Sequence, residues 1–359
     1  MKKLVGLLVL VTLLLVVVAP NIAQDDENPY RPTELFDAVN ALKAATEGLS
    51  APPDAKFVLL TNAVAPFWTA AQTGAARASL EFNVPIMFQA PTAAEKLLQQ
   101  LSMLETFVND DFTAITFSAI DREAPADIIK AAVAKGIFVL NTDSDATGSE
   151  RSMYIGMSDY DAGYAAGLAA LDLIGSGELV GLVGYATAQN AQDRIAGVND
   201  ALEGTDLKLV EVLLDDIKPE VALSNAQTAM QTYPDLAGFI TFYSYDGPMA
   251  CQAVKEAGKV GEVKIVAFDA EPQTQTCMEE GVVQAMIGQR VYFYGYLSGW
   301  VMYAMSVLGE EATMEILDPW LSELGDEGKI HLNTGVDVIM ADTFGLYKEY
   351  LESIGIPSQ

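Results

Sequence analysis

Histidine and cysteine are the scarcest reactive side chains of this 359-residue chain. It contains one histidine, His331, and two cysteines, Cys251 and Cys277. No CxxC pair and no Cys/His ligand spacing occurs, so we expect no zinc site. In an exported chain two thiols can form one disulfide or remain as two buried free thiols, and the sequence leaves both open.

Sequence signatures of common enzyme classes are also missing. The chain has no GxSxG, HExxH, P-loop or GxGxxG motif. His331 lies in an apolar, strand-like run, where a role in the core or at a sheet edge is expected. Paired carboxylates for glycoside hydrolysis meet in space and not in sequence, so spacing alone leaves that class open. We predict a protein that is not an enzyme and that uses no cofactor and no metal.

Positive charge is in short supply. Lys and Arg total 20 against 49 Asp and Glu, which gives a formal net charge of −29. Such a surface repels nucleic-acid phosphates and anionic lipid headgroups. Nucleic acid is therefore excluded as a partner, and most of the charge is expected to form a solvated surface that resists aggregation.

A long hydrophobic run begins close to the N-terminus. Lys2 and Lys3 precede an apolar segment from Leu4 to Ala19, with a small residue at Ala23. This pattern predicts a secretory signal peptide over residues 1–24 and a folded part outside the cytoplasmic membrane. An uncleaved anchor is the alternative, although the run is slightly short for a full span. No cysteine lies directly after it, so a lipid anchor is not expected.

An acidic, proline-bearing segment follows at residues 25–55. It contains one weakly amphipathic helix around Thr33–Glu47, and we interpret it as a leader or linker. The chain beyond the signal peptide exceeds the size at which a single core usually keeps growing, so two lobes are expected.

From Lys56 onward, short apolar runs alternate with helical segments. The predicted strands are 57–61, 84–88, 114–118, 137–141, 179–184, 207–214, 238–243, 263–268 and 282–288. The predicted helices are 67–82, 92–108, 125–135, 161–174, 190–203, 219–232 and 247–258. Continuously apolar strands are typical of parallel sheets covered by helices. The fold class is therefore α/β, with two doubly wound parallel-sheet lobes that join near Tyr154–Asp161. A late segment, HLNTGVDVIM (331–340), is one more strand whose break at Gly335 suits a chain that crosses between lobes.

Ligands of open parallel sheets bind beyond the carboxyl ends of the strands. The residues at those ends are aromatic, acidic, amide, hydroxyl and arginine side chains, with no thiol and no histidine. The candidate ligand-binding residues are Asn62, Phe67, Trp68, Ser118, Asp143, Ser144, Arg194, Tyr245, Asp246, Asp269 and Gln289. Aromatic rings cover the C–H faces of sugars, and fixed polar groups satisfy hydroxyls. This set therefore predicts a small polar ligand, most simply a monosaccharide.

Each candidate has a structural alternative. Phe67 and Trp68 could be core residues, and Arg194 could be a solvated helix residue. Asp143 and Asp269 could be turn formers or helix N-caps. The segment NTDSDATGSE (141–150) has the alternating acidic residues of a calcium loop, but its glycine is not at the sixth position.

Several ordered motifs resemble the periplasmic type I sugar-binding proteins, the ribose/galactose/xylose-type group related to the ligand-binding part of lac-repressor-like regulators. These motifs are TNAVAPFWTAAQTGA (61–75), FVLNTDSDATGS (138–149), MSDYDAGYAAG (157–167), QDRIAGVNDAL (192–202), YPDLAGFITFYSYDGPMACQAVKEAGK (233–259), VKIVAFDAEP (263–272) and NTGVDVIM (333–340). The resemblance extends from Lys56 to nearly the end of the chain.

The resemblance implies roles for particular residues. Phe67 and Trp68 match the aromatic pair that sandwiches the sugar ring, and Asp143 matches a first-lobe carboxylate that binds hydroxyls. Arg194 and Asp269 match second-lobe ligand groups.

Gln289 matches a glutamine at a lobe crossover, and either Tyr245 or Asp246 occupies the place of a family asparagine. Ala65 and Ser144 depart from the ribose-type pattern, which has asparagine and often arginine there, so the resemblance supports ribose itself less than a monosaccharide in general.

The resemblance also implies three crossovers, near Met157–Tyr160, Gln289–Val291 and Asn333–Val336. The first lobe would be 56–158 plus 291–334, and the second would be 159–290 plus 335–359. The implied protein is a monomer that closes on its ligand outside the cell and delivers it to an ABC transporter permease or presents it to a membrane sensor. A nucleoside, autoinducer or polyol is the alternative ligand. A DNA-reading regulator of the same fold is disfavoured by the signal peptide and the acidic charge.

Overall fold

A computed structural model describes residues 28–184, 189–324 and 329–357. The strands are β1 (Phe57–Leu60), β2 (Ile86–Gln89), β3 (Ala114–Phe117), β4 (Phe138–Thr142), β5 (Met153–Gly156), β6 (Gly177–Val183), β7 (Leu207–Leu214), β8 (Leu236–Thr241), β9 (Lys264–Phe268), β10 (Ala285–Gln289), β11 (Leu321–Leu324), β12 (Lys329–Asn333) and β13 (Val336–Met340). The helices are α1 (Thr33–Ala45), α2 (Thr69–Phe82), α3 (Lys96–Asn109), α4 (Ala126–Ala134), α5 (Asp159–Ile174), α6 (Gln189–Leu202), α7 (Pro219–Thr232), α8 (Asp246–Glu256), α9 (Pro272–Glu279), α10 (Val291–Leu308), α11 (Glu310–Leu317) and α12 (Phe344–Ser353). The predicted signal peptide at 1–24 lies outside the described residues.

The strands form two sheets. One sheet has seven strands in the order β11-β12-β5-β4-β3-β1-β2, and the other has six in the order β13-β10-β9-β8-β6-β7. All pairs are parallel except β11 with β12 and β10 with β13. Helices cover both sheets, so the central strands β1 and β3 are buried along their whole length. The predicted α/β class with two doubly wound lobes is confirmed.

Three chain crossings connect the lobes. The chain leaves the first sheet after β5 and enters the second lobe through α5, which packs on α6. It returns after β10 through α10, which packs against α2. It crosses a third time between β12 and β13, which belong to different sheets. The predicted single strand at 331–340 is therefore two strands, and its glycine break at Gly335 (φ 71°) is the crossing itself.

Helix α10 is the central element of the first lobe. Its residues from Val291 to Met305 are all buried, which leaves no polar face and explains why helical periodicity did not reveal it. A Cβ at Gly295 would lie 1.9 Å from the Ala71 carbonyl oxygen, and one at Gly74 would lie 2.1 Å from the Tyr292 carbonyl oxygen. The absence of side chains at these two glycines therefore lets α10 and α2 pack backbone to backbone.

The helix predicted within the acidic leader is present as α1. Its buried residues Leu35, Val39 and Leu42 belong to the same hydrophobic cluster as α10, and α1 contacts both α10 and α11. Residues 33–45 of the predicted leader or linker are thus packed onto the first lobe, because the amphipathic face of α1 contacts the apolar surface of α10 and α11.

Cys251 and Cys277 form a disulfide between α8 and α9, 26 positions apart in sequence. This settles the alternative that the sequence left open. The bridge fastens two helices at one side of the second lobe.

Within the described parts of the chain, none of the helices combines the length and apolar character needed to cross a bilayer.

Candidate functional site

Asp143 anchors the first-lobe side of the candidate site. It follows β4 in the left-handed backbone region (φ 63°), which directs the chain sharply out of the sheet. Its Oδ2 accepts a hydrogen bond from Ser118 Oγ at 2.7 Å and faces Asn62 Nδ2 at 3.4 Å. Asn62 Oδ1 in turn accepts from Trp68 Nε1 at 3.2 Å. Four predicted site residues are therefore joined in one polar chain at the ends of β1, β3 and β4.

Tyr154 holds the backbone of Asp143, and His331 packs against Tyr154. Tyr154 Oη donates to the Asp143 carbonyl oxygen at 2.8 Å, and its ring stacks on the His331 imidazole at 5.1 Å. His331 is 2 % exposed, and its Nε2 lies 3.0 Å from the Gly156 carbonyl oxygen. The expected core role of the histidine is confirmed.

Arg194 is the main second-lobe residue. It projects from α6, is 5 % exposed, and donates through Nε to Asp159 Oδ1 at 2.8 Å. Its Nη1 donates to the Phe242 carbonyl oxygen at 2.7 Å, and the guanidinium lies 4.6 Å from the centre of the Phe268 ring. Burial lowers the pKa of Arg194, but the charges of Asp159 and Asp269 outweigh it, so the side chain stays cationic. The reading of Arg194 as a solvated helix residue is wrong.

Asp269 and Gln289 lie at the ends of neighbouring strands, β9 and β10. Asp269 also has a left-handed backbone (φ 66°), and its Oδ1 accepts from Gln289 Nε2 at 2.8 Å. Gln289 Oε1 accepts from Tyr294 Oη at 3.0 Å. Because Tyr294 lies on α10, this chain of hydrogen bonds joins the second sheet to the first lobe at the crossover.

The two lobes bring these charges close together. Burial raises the pKa of Asp143 to about 7, with the Ser118 hydrogen bond and Arg194 opposing it and Asp159 and Asp269 adding to it. Burial likewise raises the pKa of Asp269 to about 6, opposed by Arg194 and Gln289. Arg194 of the second lobe acts electrostatically on both carboxyl groups, Asp143 of the first lobe and Asp269 of the second, so the two lobes share one polar cluster.

The stability of the ligand-free protein should fall as the pH rises toward the pKa values of Asp143 and Asp269. Unfolded carboxyl groups titrate near pH 4, whereas Asp143 and Asp269 titrate at about 7 and 6. Between these values the folded state holds protons that the unfolded state has released, so the free energy of unfolding decreases with pH. We expect the thermal midpoint to drop between pH 5 and 8, and Asp143→Asn to reduce that drop. Differential scanning calorimetry at fixed ionic strength measures both; an unchanged slope in the variant would contradict the assignment.

Tyr245 and Asp246 form a separate cluster in the second lobe. Tyr245 Oη donates to Asp215 Oδ1, and Asp246 Oδ2 accepts from the Tyr243 backbone N–H at 3.3 Å. Asp246 has no exposed surface, and burial together with the neighbouring Asp215 raises its pKa to about 9. Asp246 therefore begins α8 as a buried group, whereas Tyr245 is only partly buried.

The two aromatic candidates have different environments. Trp68 is 4 % exposed and belongs to a small apolar cluster with Ala71, Val291 and Tyr294, so its ring is largely core. Phe67 is partly buried, packs edge to face on Trp68 at 5.1 Å, and lines a cavity of about 320 Å³ that Asp269 and Gln289 also line. Phe67 is thus the better placed of the two for a ligand ring.

Three side chains of the alternative calcium loop, Asn141, Asp143 and Asp145, already accept hydrogen bonds from protein donors. Asp145 forms a two-pronged ion pair with Arg151, with Oδ2 at 2.6 Å from Nη2. Asn141 Oδ1 accepts from the Ala146 N–H at 3.3 Å, and Asp143 Oδ2 accepts from Ser118 Oγ at 2.7 Å. Ser144 contributes its carbonyl oxygen to the Ala119 N–H, which holds the turn.

Asp159, Tyr154 and Tyr294 support the cluster and were not among the sequence candidates. Asp159 lies at the first crossover, three residues after the end of β5. Its position near a strand end could have identified it as a candidate from the sequence. Tyr154 lies on β5, a four-residue strand too short to stand out. Tyr294 is hidden in the uniformly apolar α10.

Two curated proteins are similar to part of this chain. One is a D-ribose/D-allose-binding protein of Pseudomonas aeruginosa, 25 % identical over 197 residues that cover 53 % of this chain and 62 % of that protein. The other is a D-allose-binding periplasmic protein of Escherichia coli, 24 % identical over 65 % of this chain and 78 % of that protein. The chain thus spans less than two thirds of the first relative's length.

Solved structures share the fold over most of the chain. An arabinose-binding protein from Geobacillus stearothermophilus has a TM-score of 0.70 at 25 % identity and covers 82 % of this chain and all of its own. A sugar-binding protein of an ABC transporter from Bacillus halodurans has a TM-score of 0.69 at 22 % identity over 80 % of this chain and 98 % of its own.

The sequence profile of the periplasmic binding protein domain matches residues 56–311. The family consists of binding proteins, in agreement with the expectation that the chain is not an enzyme. With this match covering most of the chain, the protein belongs to the periplasmic binding protein family.

Proposed function

We propose that this protein captures a monosaccharide outside the cytoplasmic membrane, between its two lobes. The observation that supports this most strongly is the convergence of Asp143 from the first lobe with Arg194 and Asp269 from the second. The sugars in the names of the relatives and structural neighbours (ribose, allose and arabinose) agree with the chemistry of this cluster.

In the proposed complex, Asp143 accepts hydrogen bonds from sugar hydroxyls while Ser118 and Asn62 hold its carboxylate in place. Arg194 donates to hydroxyl oxygens, and its pairing with Asp159 fixes its direction. Charged hydrogen-bonding groups that are already oriented bind a hydroxyl without paying much side-chain entropy.

Asp269 and Gln289 are proposed to share a further hydroxyl, since the two already form a hydrogen-bonded pair. Phe67 covers a C–H face of the ring, whereas Tyr245 and Asp246 belong to the separate cluster around Asp215. Trp68 is proposed to act indirectly, by orienting Asn62.

Closure of the lobes is the proposed mechanism. A sugar bound by one lobe would present its remaining hydroxyls to the other, so it favours the closed form by its extra contacts there. The three crossovers, at 157–158, 290 and 334–335, are the hinge segments in this proposal. We assign the first lobe to 56–158 plus 291–334, together with α1, and the second to 159–290 plus 335–359.

The proposed partner is an ABC transporter permease, or a membrane sensor, that recognises the closed surface of a monomeric protein. An N-terminal signal peptide would export the chain. The acidic surface and the family's location outside the cytoplasm both agree with this placement.

Isothermal titration against a panel of pentoses, hexoses and inositols tests the proposal. We expect at least one monosaccharide to bind with roughly micromolar affinity or better, about −8 kcal/mol. Folded protein that binds none of the panel would overturn the sugar assignment.

A further inference from the structure

We propose that the cavity beside the polar cluster is a second subsite, one that receives an uncharged aromatic ring linked to the sugar and carrying an N–H or O–H donor. This inference rests on the proposed monosaccharide site and extends it from a free sugar to a glycoside. The cavity measures about 320 Å³ and lies where the start of α2, the loop before α9, the start of α10 and the C-terminal tail meet.

The subsite adjoins the candidate sugar site. Phe67, Asp269 and Gln289 line the cavity and also belong to the proposed ligand set. Asp143, Arg194 and Ser118 are not part of its lining, so the cavity is not the polar cluster itself. A ligand that contacts the cluster through its sugar can therefore extend past Asp269 into the cavity.

The lining favours a flat apolar group. Aromatic and aliphatic side chains form most of it, notably Tyr292, Phe293, Tyr347, Leu351 and Ile356. Such a lining is suited to a ring and gives little to the hydroxyls of a second sugar unit. The volume is at the lower end for small-molecule sites, which fits one ring in addition to the sugar.

Charge on the lining disfavours an anionic group. Arg290 is the sole cation among the lining residues that the structure describes, and it is already held by Asp337 at 3.0 Å and Glu34 at 2.9 Å. Asp269 and Glu271 add negative charge to the same walls. A phosphate or carboxylate on the second group would thus be repelled.

One buried acceptor on the lining lacks a partner. Gln275 is 6 % exposed, and its Nε2 donates to the Ala270 carbonyl oxygen at 2.6 Å. Its Oε1 has no hydrogen-bond partner among the described residues and is covered by protein atoms, so it meets a ligand donor only when the Gln275 amide rotates toward the cavity. A buried amide oxygen without a donor is unfavourable. A ligand N–H or O–H that donates to Gln275 would remove this cost and so strengthen binding.

The test compares the free sugars D-ribose, D-allose and D-arabinose with their methyl, phenyl and 4-aminophenyl glycosides, as both anomers, by isothermal titration on the full chain. For at least one sugar we expect an aryl glycoside to bind about tenfold or more tighter than the methyl glycoside, because the ring buries apolar surface. The 4-aminophenyl form should exceed the phenyl form, and Gln275→Leu should remove that difference.

Two tryptophan variants serve as a matched pair. Ile356→Trp fills the cavity and should abolish the aryl preference while the free sugar binds as before. Leu346→Trp changes an exposed residue of α12 outside the lining and should leave both unchanged. Aryl glycosides that bind no tighter than methyl glycosides, or an aryl preference that survives Ile356→Trp, would overturn the subsite. If the free sugars still bind when the aryl preference is absent, only the subsite is overturned and the monosaccharide site is supported. If none of the compounds binds, both the subsite and the monosaccharide site are overturned.

Discussion

Replacing Asp143 by alanine should weaken binding of the best monosaccharide of the panel by at least about 100-fold. Among the described residues of the first lobe, Asp143 supplies the carboxylate of the cluster, and Ser118 and Asn62 are arranged around it. Its loss removes charge-assisted hydrogen bonds to the sugar and leaves those two donors without their acceptor. Hydrogen bonds to charged groups contribute about 1.5–3 kcal/mol each, so losing two of them gives an effect of this size.

Ser118→Ala is the matched control, because it removes one hydrogen bond to the same carboxylate and keeps the charge. We expect it to weaken binding by only about tenfold. Isothermal titration measures the affinities, and thermal unfolding checks that both variants fold. Equal affinities for Asp143→Ala and the wild type would remove Asp143 from the site.

Replacing Arg194 by leucine should cost both affinity and stability. The change removes a second-lobe donor to the ligand, and it also leaves Asp159 without its cation in a partly buried position. Removing one partner of a buried ion pair typically costs about 3–5 kcal/mol in stability. Because Asp159 is partly solvated, we expect a loss toward the lower end, about 3 kcal/mol.

The Arg194→Leu/Asp159→Leu double variant separates the two effects. It removes the stranded carboxylate, so most of the lost stability should return, whereas sugar binding should stay weak by about 100-fold. Urea unfolding gives the stabilities and isothermal titration gives the affinities. If the double variant bound sugar normally, Arg194 would serve only the fold of the second lobe.

Much of the architecture follows from local patterns in the sequence. Nine short apolar runs separated by helical segments predicted nine strands at their observed places within a few residues. Gly335 predicted a break, which the structure identifies as the third crossing. These features are readable because continuous burial of a central parallel strand leaves a continuous apolar signature.

Elements with weaker local signatures were not predicted. β5 and β11 have four residues each, and β11 gains its place through antiparallel pairing with β12. The role of α1 depends on apolar partners more than 240 positions away on α10, and no local pattern carries that information.

The candidate site also combines residues that the sequence could identify and residues that only the folded structure reveals. Strand ends in a parallel sheet meet at one edge, which is why Asp143, Ser118, Asp269 and Gln289 could be named from their positions. The support from Tyr154, Asp159 and Tyr294 depends on side chains that meet across the lobes. The distinction between Tyr245 and the fully buried Asp246 likewise needed the packing around α8.

A crystal structure of the protein with its best monosaccharide from the panel tests the central claim most directly. The account predicts sugar hydroxyls within hydrogen-bonding distance, about 2.6–3.2 Å, of Asp143 from the first lobe and of Arg194 and Asp269 from the second. A sugar that contacts a single lobe, or that lies away from all three of these side chains, would contradict it.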